Sequence, residues 1–220
     1  MSIAPSDFPR DEAKCVAPIP VPTYGAGGVF TVACSAAIAG PALACLERVL
    51  DLPGYGAWNT FVPRAALLAP GRAGEQGQGD DDDEGGDDGL TPELRALIAR
   101  PGHVAPGARI RFDAVMAPGG APRAVDLEVT RLEAFEAGTG AGRRGYRVVW
   151  KATGFPGFLL RSERVQEFVE GVAADGAVET RYACWETFGG LLAHVLPRSQ
   201  IEDGFARWME GLKRAVEGEK

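Results

Sequence analysis

The sequence predicts an α+β domain in which one curved antiparallel sheet of about seven strands wraps around a long C-terminal helix. From residue 107 onwards apolar residues alternate with polar ones, which is typical of strands with one buried face. The segments between these stretches are short and rich in glycine, as in hairpins. Residues 199–217 carry one apolar stripe at helical spacing. The sheet and the helix must therefore bury their apolar surfaces against each other.

The first elements are predicted to be a strand followed by two short helices. Residues 28–37 are β-branched or small and favour the strand. Pro41 favours the start of a helix that runs to Leu50, because proline fits the first helical turn. Residues 55–59 form a second short helix or turn, and a further strand is expected at 60–69.

Two segments are predicted to lie outside this pattern. Residues 1–27 are rich in proline and glycine and are expected to be an extended tail with little structure of its own, before a domain at 28–217. Residues 70–89 are almost only Gly, Asp, Glu and Gln, so we expect a disordered acidic loop. Its contiguous acids lack the spacing of an EF-hand calcium loop. Thr91 then resembles the cap of a short helix.

Period-two alternation of apolar and polar residues predicts the later strands, and an apolar stripe predicts the last helix. The apolar faces of the strands carry Ile110, Phe112, Ala114 and Met116; Val125, Leu127 and Val129; Tyr146, Val148 and Trp150; and Tyr182, Cys184 and Phe188. Ser199 and Glu202 have the spacing of a capping box at the start of the helix.

Composition excludes several classes of function. The net charge is −7, and the run from Asp80 to Asp88 holds seven acids, so the remainder is close to neutral. A nucleic-acid binder needs a net basic face. The four cysteines form no CxxC pair and there are two histidines, so we expect no structural zinc site. The glycines at 25–28 precede a strand instead of following one, which disfavours a dinucleotide loop, and no cofactor is predicted.

The location of the protein is expected to be cytoplasmic. The N-terminus lacks a basic start followed by an apolar run, so no secretory signal is predicted and the cysteines should be reduced. Residues 29–46 carry no charge, but they are mostly small residues interrupted by Gly40 and Pro41. A strand followed by a helix explains them better than a membrane span.

Four segments resemble motifs of one known family. Tyr55 to Phe61 resembles Y-x-x-W-N-P-F, with Thr60 in place of proline. Thr180 to Leu192 resembles T-x-x-x-x-x-E-x-F-x-G-L-L. The other two are Arg164 to Phe168, with Gln166 where relatives often have histidine, and the Gly204-Phe205, Met209 and Leu212-Lys213 positions of the last helix.

These motifs are similar to those of the START-like helix-grip superfamily (SRPBCC), in its polyketide cyclase/dehydrase and lipid-transport branch. The resemblance covers about residues 28–217 and implies a helix-grip fold with an internal pocket. Members bind lipids, sterols, hormones, quinones and polyketides, and some of them are enzymes. The resemblance therefore implies a small hydrophobic partner without naming a reaction.

Glu186 is the candidate catalytic residue. It shares a strand face with Tyr182 and Phe188, and a carboxylate in an apolar pocket can act as a general acid or base. The alternative is a buried glutamate that pairs with an arginine or caps the backbone near the Gly189-Gly190 turn. Arg161 and Arg164 lie on opposite faces of one strand, so one of them can reach the pocket. The remaining candidate ligand-binding residues are Trp58, Phe61, Trp150, Gln166, Phe168, Tyr182, Phe205 and Trp208.

Three functional hypotheses follow. The first is a carrier or sensor that holds a lipid, quinone or polyketide-like molecule in an apolar pocket. The second is a cyclase, aromatase or dehydratase that uses Glu186. The third is an interaction module in which the acidic loop finds a basic partner. The sequence leaves the oligomeric state open.

Overall fold

The computed structural model describes residues 8–71, 90–137 and 143–218. Nearly all of the predicted acidic loop, and the connection at 138–142, lie outside these ranges. Within the described residues the chain forms one antiparallel sheet with helices on its concave side.

The sheet has eight strands, one more than predicted. They are β1 (Ala13–Val16), β2 (Phe30–Ala39), β3 (Arg64–Ala69), β4 (Arg109–Ala114), β5 (Arg123–Ala137), β6 (Arg143–Ala152), β7 (Arg161–Val172) and β8 (Val178–Gly189). Their order across the sheet is β1-β2-β8-β7-β6-β5-β4-β3. All neighbours are antiparallel, so the predicted hairpin succession from β4 to β8 is confirmed.

The helices are α1 (Ala42–Leu50), α2 (Pro92–Ile98) and α3 (Arg198–Glu217), with short 3₁₀ helices at Pro53–Ala57 and Leu191–Val195. Helix α3 spans about 30 Å at 1.5 Å per residue. It packs against β1, β2 and α1. We call the face of the sheet towards α3 the inner face and the opposite one the outer face.

The aromatic core beneath α3 depends on two glycines of that helix. Tyr55, Trp58 and Trp208 meet edge to face, with ring centroids 5.2–5.5 Å apart. A Cβ on Gly204 would lie 2.5 Å from the Phe61 ring, and one on Gly211 would lie 2.3 Å from the Trp58 carbonyl oxygen. Only glycine therefore lets α3 approach the Trp58 segment this closely.

The eighth strand comes from the segment that the sequence predicted to be an extended tail. Strand β1 pairs with β2, from Ala13 opposite Cys34 to Val16 opposite Thr31. Strand β1 has only four residues and is followed by several prolines. It is therefore too short to show the alternation of apolar and polar residues that predicts a strand.

Residues 8–24 cover the outer face of the central strands. Phe8 packs edge to face on Trp185 at 5.5 Å, and Val21 joins a small apolar cluster with Val165. The Glu163 carboxylate, fully buried on this face, accepts hydrogen bonds from the Thr23 backbone N–H (2.8 Å) and hydroxyl (2.6 Å). Strand β7 is consequently buried on both faces along most of its length.

The start of α3 differs from its prediction. The helix begins at Arg198, and no side chain caps it. The Glu202 carboxylate instead accepts the Cys15 backbone N–H at 2.6 Å, which ties β1 to α3. The predicted capping box is therefore wrong, because a tertiary partner competes for the glutamate. The cap at Thr91 is confirmed: its hydroxyl accepts the Leu94 N–H at 3.4 Å.

Candidate functional site

A cavity of about 430 Å³ lies between the inner face and the N-terminal half of α3. Its walls are mostly apolar, and they come from the strands β4 to β8, the β6–β7 connection and the start of α3. Large side chains on these walls include Phe112, Leu127, Trp150, Phe188 and Ile201. A volume of this size falls within the range of about 300–1,000 Å³ that is usual for small-molecule sites.

The apolar wall contains an ion pair between Arg164 and Glu186. Arg164 of β7 lies directly opposite Glu186 of β8, and its Nε donates to Oε2 of Glu186 at 2.9 Å. Only 8% of the Arg164 side chain and 13% of the Glu186 side chain are exposed. Both residues line the cavity. The alternative predicted for Glu186, a buried glutamate paired with an arginine, is the arrangement observed.

Aromatic rings surround the Arg164 guanidinium. Its Cζ lies 4.0 Å from the Phe205 ring centroid and 5.1 Å from that of Trp208. Burial acts to lower the pKa of Arg164, but the Glu186 carboxylate, with Cys184, raises it above its ordinary value. The group is therefore a permanent cation in a largely apolar shell.

The ion pair leaves hydrogen-bonding capacity open towards the cavity. Among the described residues, the one hydrogen bond of the Arg164 side chain is that from Nε, so Nη1 and Nη2 donate to none of them. Oε1 of Glu186 likewise accepts none within this part of the chain. Ser162, two residues before Arg164 and on the same face, lines the same cavity. These donor and acceptor atoms are accessible from the cavity, so they fit a polar group of a ligand.

Four of the candidate residues line the cavity, and three others lie beneath it. Phe61, Trp150, Arg164 and Glu186 are on its wall. Trp58, Phe205 and Trp208 belong to the aromatic core below it and do not line it. Phe205 and Trp208 still act on the site, because their rings pack against the guanidinium of Arg164.

Gln166, Phe168 and Tyr182 lie further along β7 and β8, away from the cavity. The Tyr182 hydroxyl donates to Oε1 of Gln166 at 2.7 Å, and the Tyr182 and Phe168 rings are 5.3 Å apart. Burial raises the pKa of Tyr182 well above its ordinary value, so it stays a neutral donor. Helix α1 contacts β6, β7 and β8, and Ala36 of β2 lies opposite Tyr182. We call this region the closed end of the interior, and the cavity region the open end.

Arg161 lies on the outer face, so the predicted separation of Arg161 and Arg164 is confirmed. Its Nη2 donates to the Gly27 carbonyl at 3.1 Å, and its Cζ lies 5.6 Å from the Tyr24 ring centroid. The structure thus places Arg161 against the N-terminal segment and away from the cavity.

Some cavity residues were not among the candidates. Ser162 has the same parity as Arg164, so period-two alternation could have found it. Alternation did place Met116 on an apolar strand face, but Met116 was not named as a ligand-binding candidate. Phe155 and the other residues of the β6–β7 connection follow no period. Nothing in the sequence alone indicates that this connection folds over the opening.

Neither a metal site nor a membrane-spanning helix is found in the described ranges. No group of three or more His, Cys, Asp or Glu side chains within residues 8–71, 90–137 and 143–218 could hold a metal ion. Over the same ranges, no helix is long and apolar enough to cross a membrane.

Comparison with known proteins finds similarity in structure alone. No family model matches the chain, and no curated protein matches it in sequence. A hypothetical protein of Helicobacter pylori has a similar solved structure, with 12% identity, a TM-score of 0.50, and coverage of 84% of this chain and 86% of that one.

Two further similar structures have lower TM-scores. A START superfamily protein from Mycobacterium smegmatis is 14% identical, with a TM-score of 0.45, and the match covers 86% of this chain and 94% of that one. The major latex-like protein 151 of Panax ginseng is 10% identical, with a TM-score of 0.48 and coverage of 84% and 96%.

At such identities the likeness is one of fold. The observed architecture, an antiparallel sheet around a long C-terminal helix with two short helices after β2, is the one that the sequence motifs implied. The chain therefore has the helix-grip architecture that the sequence predicted, with eight strands in place of about seven.

Proposed function

We propose that this protein binds a small, largely hydrophobic molecule in the cavity at the open end, and holds it as a carrier or sensor. The observation that carries the proposal is the buried Arg164 guanidinium, whose Nη1 and Nη2 have no hydrogen-bond partner among the described residues. An apolar cavity with a few convergent polar groups is the usual form of a small-molecule site.

The charge balance of the ion pair narrows the ligand class. Glu186 already neutralises Arg164, so a second carboxylate would bring an excess negative charge into an apolar cavity. A neutral carbonyl or hydroxyl can accept from Arg164, and a hydroxyl can also donate to Oε1 of Glu186. Quinones, polyketide-like molecules and lipids with an ester, ketone or hydroxyl group all combine such a group with a large apolar body.

The first experiment identifies the natural ligand. The protein is purified under native conditions from the cells that make it and extracted with organic solvent, and the extract is analysed by mass spectrometry. We expect a stoichiometric hydrophobic molecule with a neutral oxygen group. An extract without one, together with no thermal shift across lipids, quinones and aromatic polyketides, would contradict the proposal.

A second experiment tests the anchor with four naphthalenes that differ in one substituent: acetyl, hydroxyl, carboxylate and ethyl. Calorimetric titration should give acetylnaphthalene and naphthol about tenfold or more tighter binding than ethylnaphthalene, because a hydrogen bond to a charged donor contributes about 1.5–3 kcal/mol. Naphthoate should bind more weakly than acetylnaphthalene.

The same titration is repeated with the test variant Arg164→Met and with the control variant Ala114→Leu. Arg164→Met should erase the preference for acetyl over ethyl. Ala114→Leu adds bulk to the cavity wall and should weaken all four ligands alike. Equal affinities of the wild-type protein for acetylnaphthalene and ethylnaphthalene would rule out Arg164 as the anchor.

A second candidate function is an enzyme of the cyclase type, favoured by the open Oε1 of Glu186 in the cavity. With a substrate carbonyl held by Arg164, Glu186 would take a proton from the adjacent carbon. The resulting enolate would add to a second carbonyl of the same molecule and close a ring, and the proton would return from Glu186 to the new alkoxide.

Turnover separates the two functions. The extracted ligand is incubated with wild-type protein and with Glu186→Gln, and the products are followed by mass spectrometry. The enzymatic function requires conversion by the wild type and a loss of about a hundredfold or more in the variant. An unconverted ligand leaves the carrier function alone. Equal conversion by both proteins rules out Glu186 as the acid or base.

A further inference from the structure

We propose that Cys34 and Cys184 form a reversible redox site, in which a small hydroperoxide converts the two thiols into a disulfide that joins β2 to β8. The two residues lie directly opposite each other in this antiparallel pair of strands. Both side chains belong to the interior core, and each is 1% exposed. In the structure both are free thiols.

The geometry of the pair suits a disulfide. Residues directly opposite each other in antiparallel strands have Cα atoms about 4.5–5.5 Å apart, and a disulfide requires about 4.4–6.8 Å. The thiols of Cys34 and Cys184 are also hydrogen-bonded to each other, so the two sulfur atoms already face one another. A bond between them therefore requires only a small approach of the two side chains.

The surroundings give the two thiols different roles. Burial acts to raise the pKa of Cys184, but the hydrogen bond from Cys34 and the positive charge of Arg164 lower it below its ordinary value of 9.0. The same hydrogen bond, together with burial, raises the pKa of Cys34 well above that value. Because the thiolate is the reactive form, Cys184 is the nucleophile, and Cys34 is the thiol that resolves its oxidised state.

The other two cysteines lack both features. Burial raises the pKa of the Cys15 and Cys45 thiols to about 11. Cys15 lies opposite Val32 in the sheet, and Cys45 is on helix α1. In the described part of the sheet, neither of them has a second cysteine as its strand partner. They therefore serve as internal controls for the reactivity of the pair.

The cavity gives an oxidant its route to Cys184. Glu186 is two residues from Cys184 on β8 and lines the cavity, as Arg164 does. Hydrogen peroxide is little larger than water, so it can pass where larger reagents cannot. Nη1 and Nη2 of Arg164 donate to none of the described residues, so they can bind the peroxide and stabilise the hydroxide that leaves it.

The reaction balances with one molecule of hydrogen peroxide. The Cys184 thiolate attacks one peroxide oxygen, an S–O bond forms, the O–O bond breaks, and the hydroxide released takes up the proton that Cys184 lost. The Cys34 sulfur then attacks the sulfenic acid on Cys184, so that an S–S bond forms and the S–O bond breaks. The hydroxide that leaves takes the Cys34 proton. Two thiols and one peroxide thus become one disulfide and two waters.

This site uses the cavity as a passage and requires no particular ligand, so it can fail independently of the proposed function. Its disulfide would tie β2 to β8 beside the ion pair of Arg164 and Glu186, across a loop of about 150 residues. Thiols restore the reduced form, as is typical of redox-sensing pairs in reducing compartments.

The experiment treats reduced wild-type protein in native buffer with hydrogen peroxide, blocks the remaining thiols in denaturant and maps the tryptic peptides without reduction. Trypsin places Cys15, Cys34 and Cys45 on the peptide 15–48 and Cys184 on the peptide 182–198. We expect these two peptides to be cross-linked and dithiothreitol to separate them.

Cys34→Ala and Cys45→Ala are matched variants, because each removes a buried thiol from the same tryptic peptide. Cys34→Ala should lose the cross-link, and dimedone should then label the sulfenic acid on Cys184. Cys45→Ala should keep the cross-link. The variant Cys15→Ser/Cys45→Ala, which contains only the pair, should also keep it, and it tests the proposal even if Cys34→Ala does not fold.

Three results would overturn the proposal. The first is a wild-type protein in which peroxide leaves Cys34 and Cys184 as thiols. The second is oxidation of Cys184 to a sulfinic acid without a cross-link. The third is a folded Cys34→Ala variant that forms the cross-link as readily as the wild type, since Cys15 or Cys45 would then be the partner.

Discussion

The closed and open ends of the interior are built on the same two strands, yet they differ in how much space lies next to their polar side chains. At the closed end the Tyr182 hydroxyl donates to Gln166 at 2.7 Å, and both side chains are buried on strands that α1 contacts. At the open end the ion pair of Arg164 and Glu186 faces a cavity of about 430 Å³. Only a few residues separate the two arrangements along β7.

The comparison shows how one sheet can combine a stable core with a binding site. The closed end has close-packed side chains and adds to stability. The open end gives up packing and leaves donor and acceptor atoms available to a ligand. If this division is real, substitutions at the two ends should differ in a predictable way.

The largest effect is expected from breaking the ion pair. Arg164→Met leaves the Glu186 carboxylate in an apolar wall without its cation, which should lower the free energy of unfolding by about 3 kcal/mol. Urea denaturation measures this. The double variant Arg164→Met/Glu186→Leu removes both charges and should recover most of the loss. If the double variant is as unstable as the single one, lost packing and not the unpaired charge is responsible.

An added side chain should be tolerated at the open end and rejected at the closed end. Ala36, opposite Tyr182, and Ala114, on the cavity wall, are both buried alanines. Ala36→Leu should cost about 1–3 kcal/mol by overpacking, whereas Ala114→Leu should cost less than about 1 kcal/mol because the cavity receives it. Equal losses in thermal or urea unfolding would show that the cavity wall is as tightly constrained as the core.

Alkaline pH should destabilise the closed end. Burial raises the pKa of the Cys45 thiol from its ordinary value of 9.0 to about 11. Between these values the unfolded chain loses this proton and the folded chain keeps it, so the free energy of unfolding falls as the pH rises, by up to about 1.4 kcal/mol per pH unit. Urea midpoints from pH 8 to 11 should fall less steeply for Cys45→Ala. Identical slopes would show that Cys45 does not contribute.

The smallest effect is expected from one hydroxyl. Tyr182→Phe removes the donor to Gln166 and leaves that amide oxygen without a partner, at a cost of about 1 kcal/mol. Ligand binding at the open end should be unchanged, as titration with acetylnaphthalene can show. A weaker affinity in this variant would mean that the two ends are coupled through β7 and β8.

The fold could be predicted because apolar and polar residues alternate along its strands and because its last helix carries an apolar stripe. The same period-two alternation predicted that Arg161 and Arg164, three residues apart, lie on opposite faces of the sheet. Sequence alone could not show that residues 8–24 cover the outer face, since that segment has no period. Glu163 is fully buried beneath that segment, where Thr23 donates to its carboxylate.

The candidate site could be predicted only in part. Glu186 and Arg164 were both candidates, and their pairing follows once the register of β7 and β8 is known. Gln166 and Phe168 have the same parity as Arg164, so alternation places them on the inner face but cannot say where along the strand the cavity stops. That limit is set by α1 and α3, which are remote in sequence.

The covering of the outer face by residues 8–24 determines which wall of the cavity can adapt. The strands that carry Arg164 and Glu186 are clamped between two packed layers, so the polar anchor keeps a fixed position. Strand β4, on the far side of the cavity, alternates exposed and buried residues and has solvent behind it. A protein built this way can hold the head of its ligand rigidly while one compliant wall accommodates tails of different size.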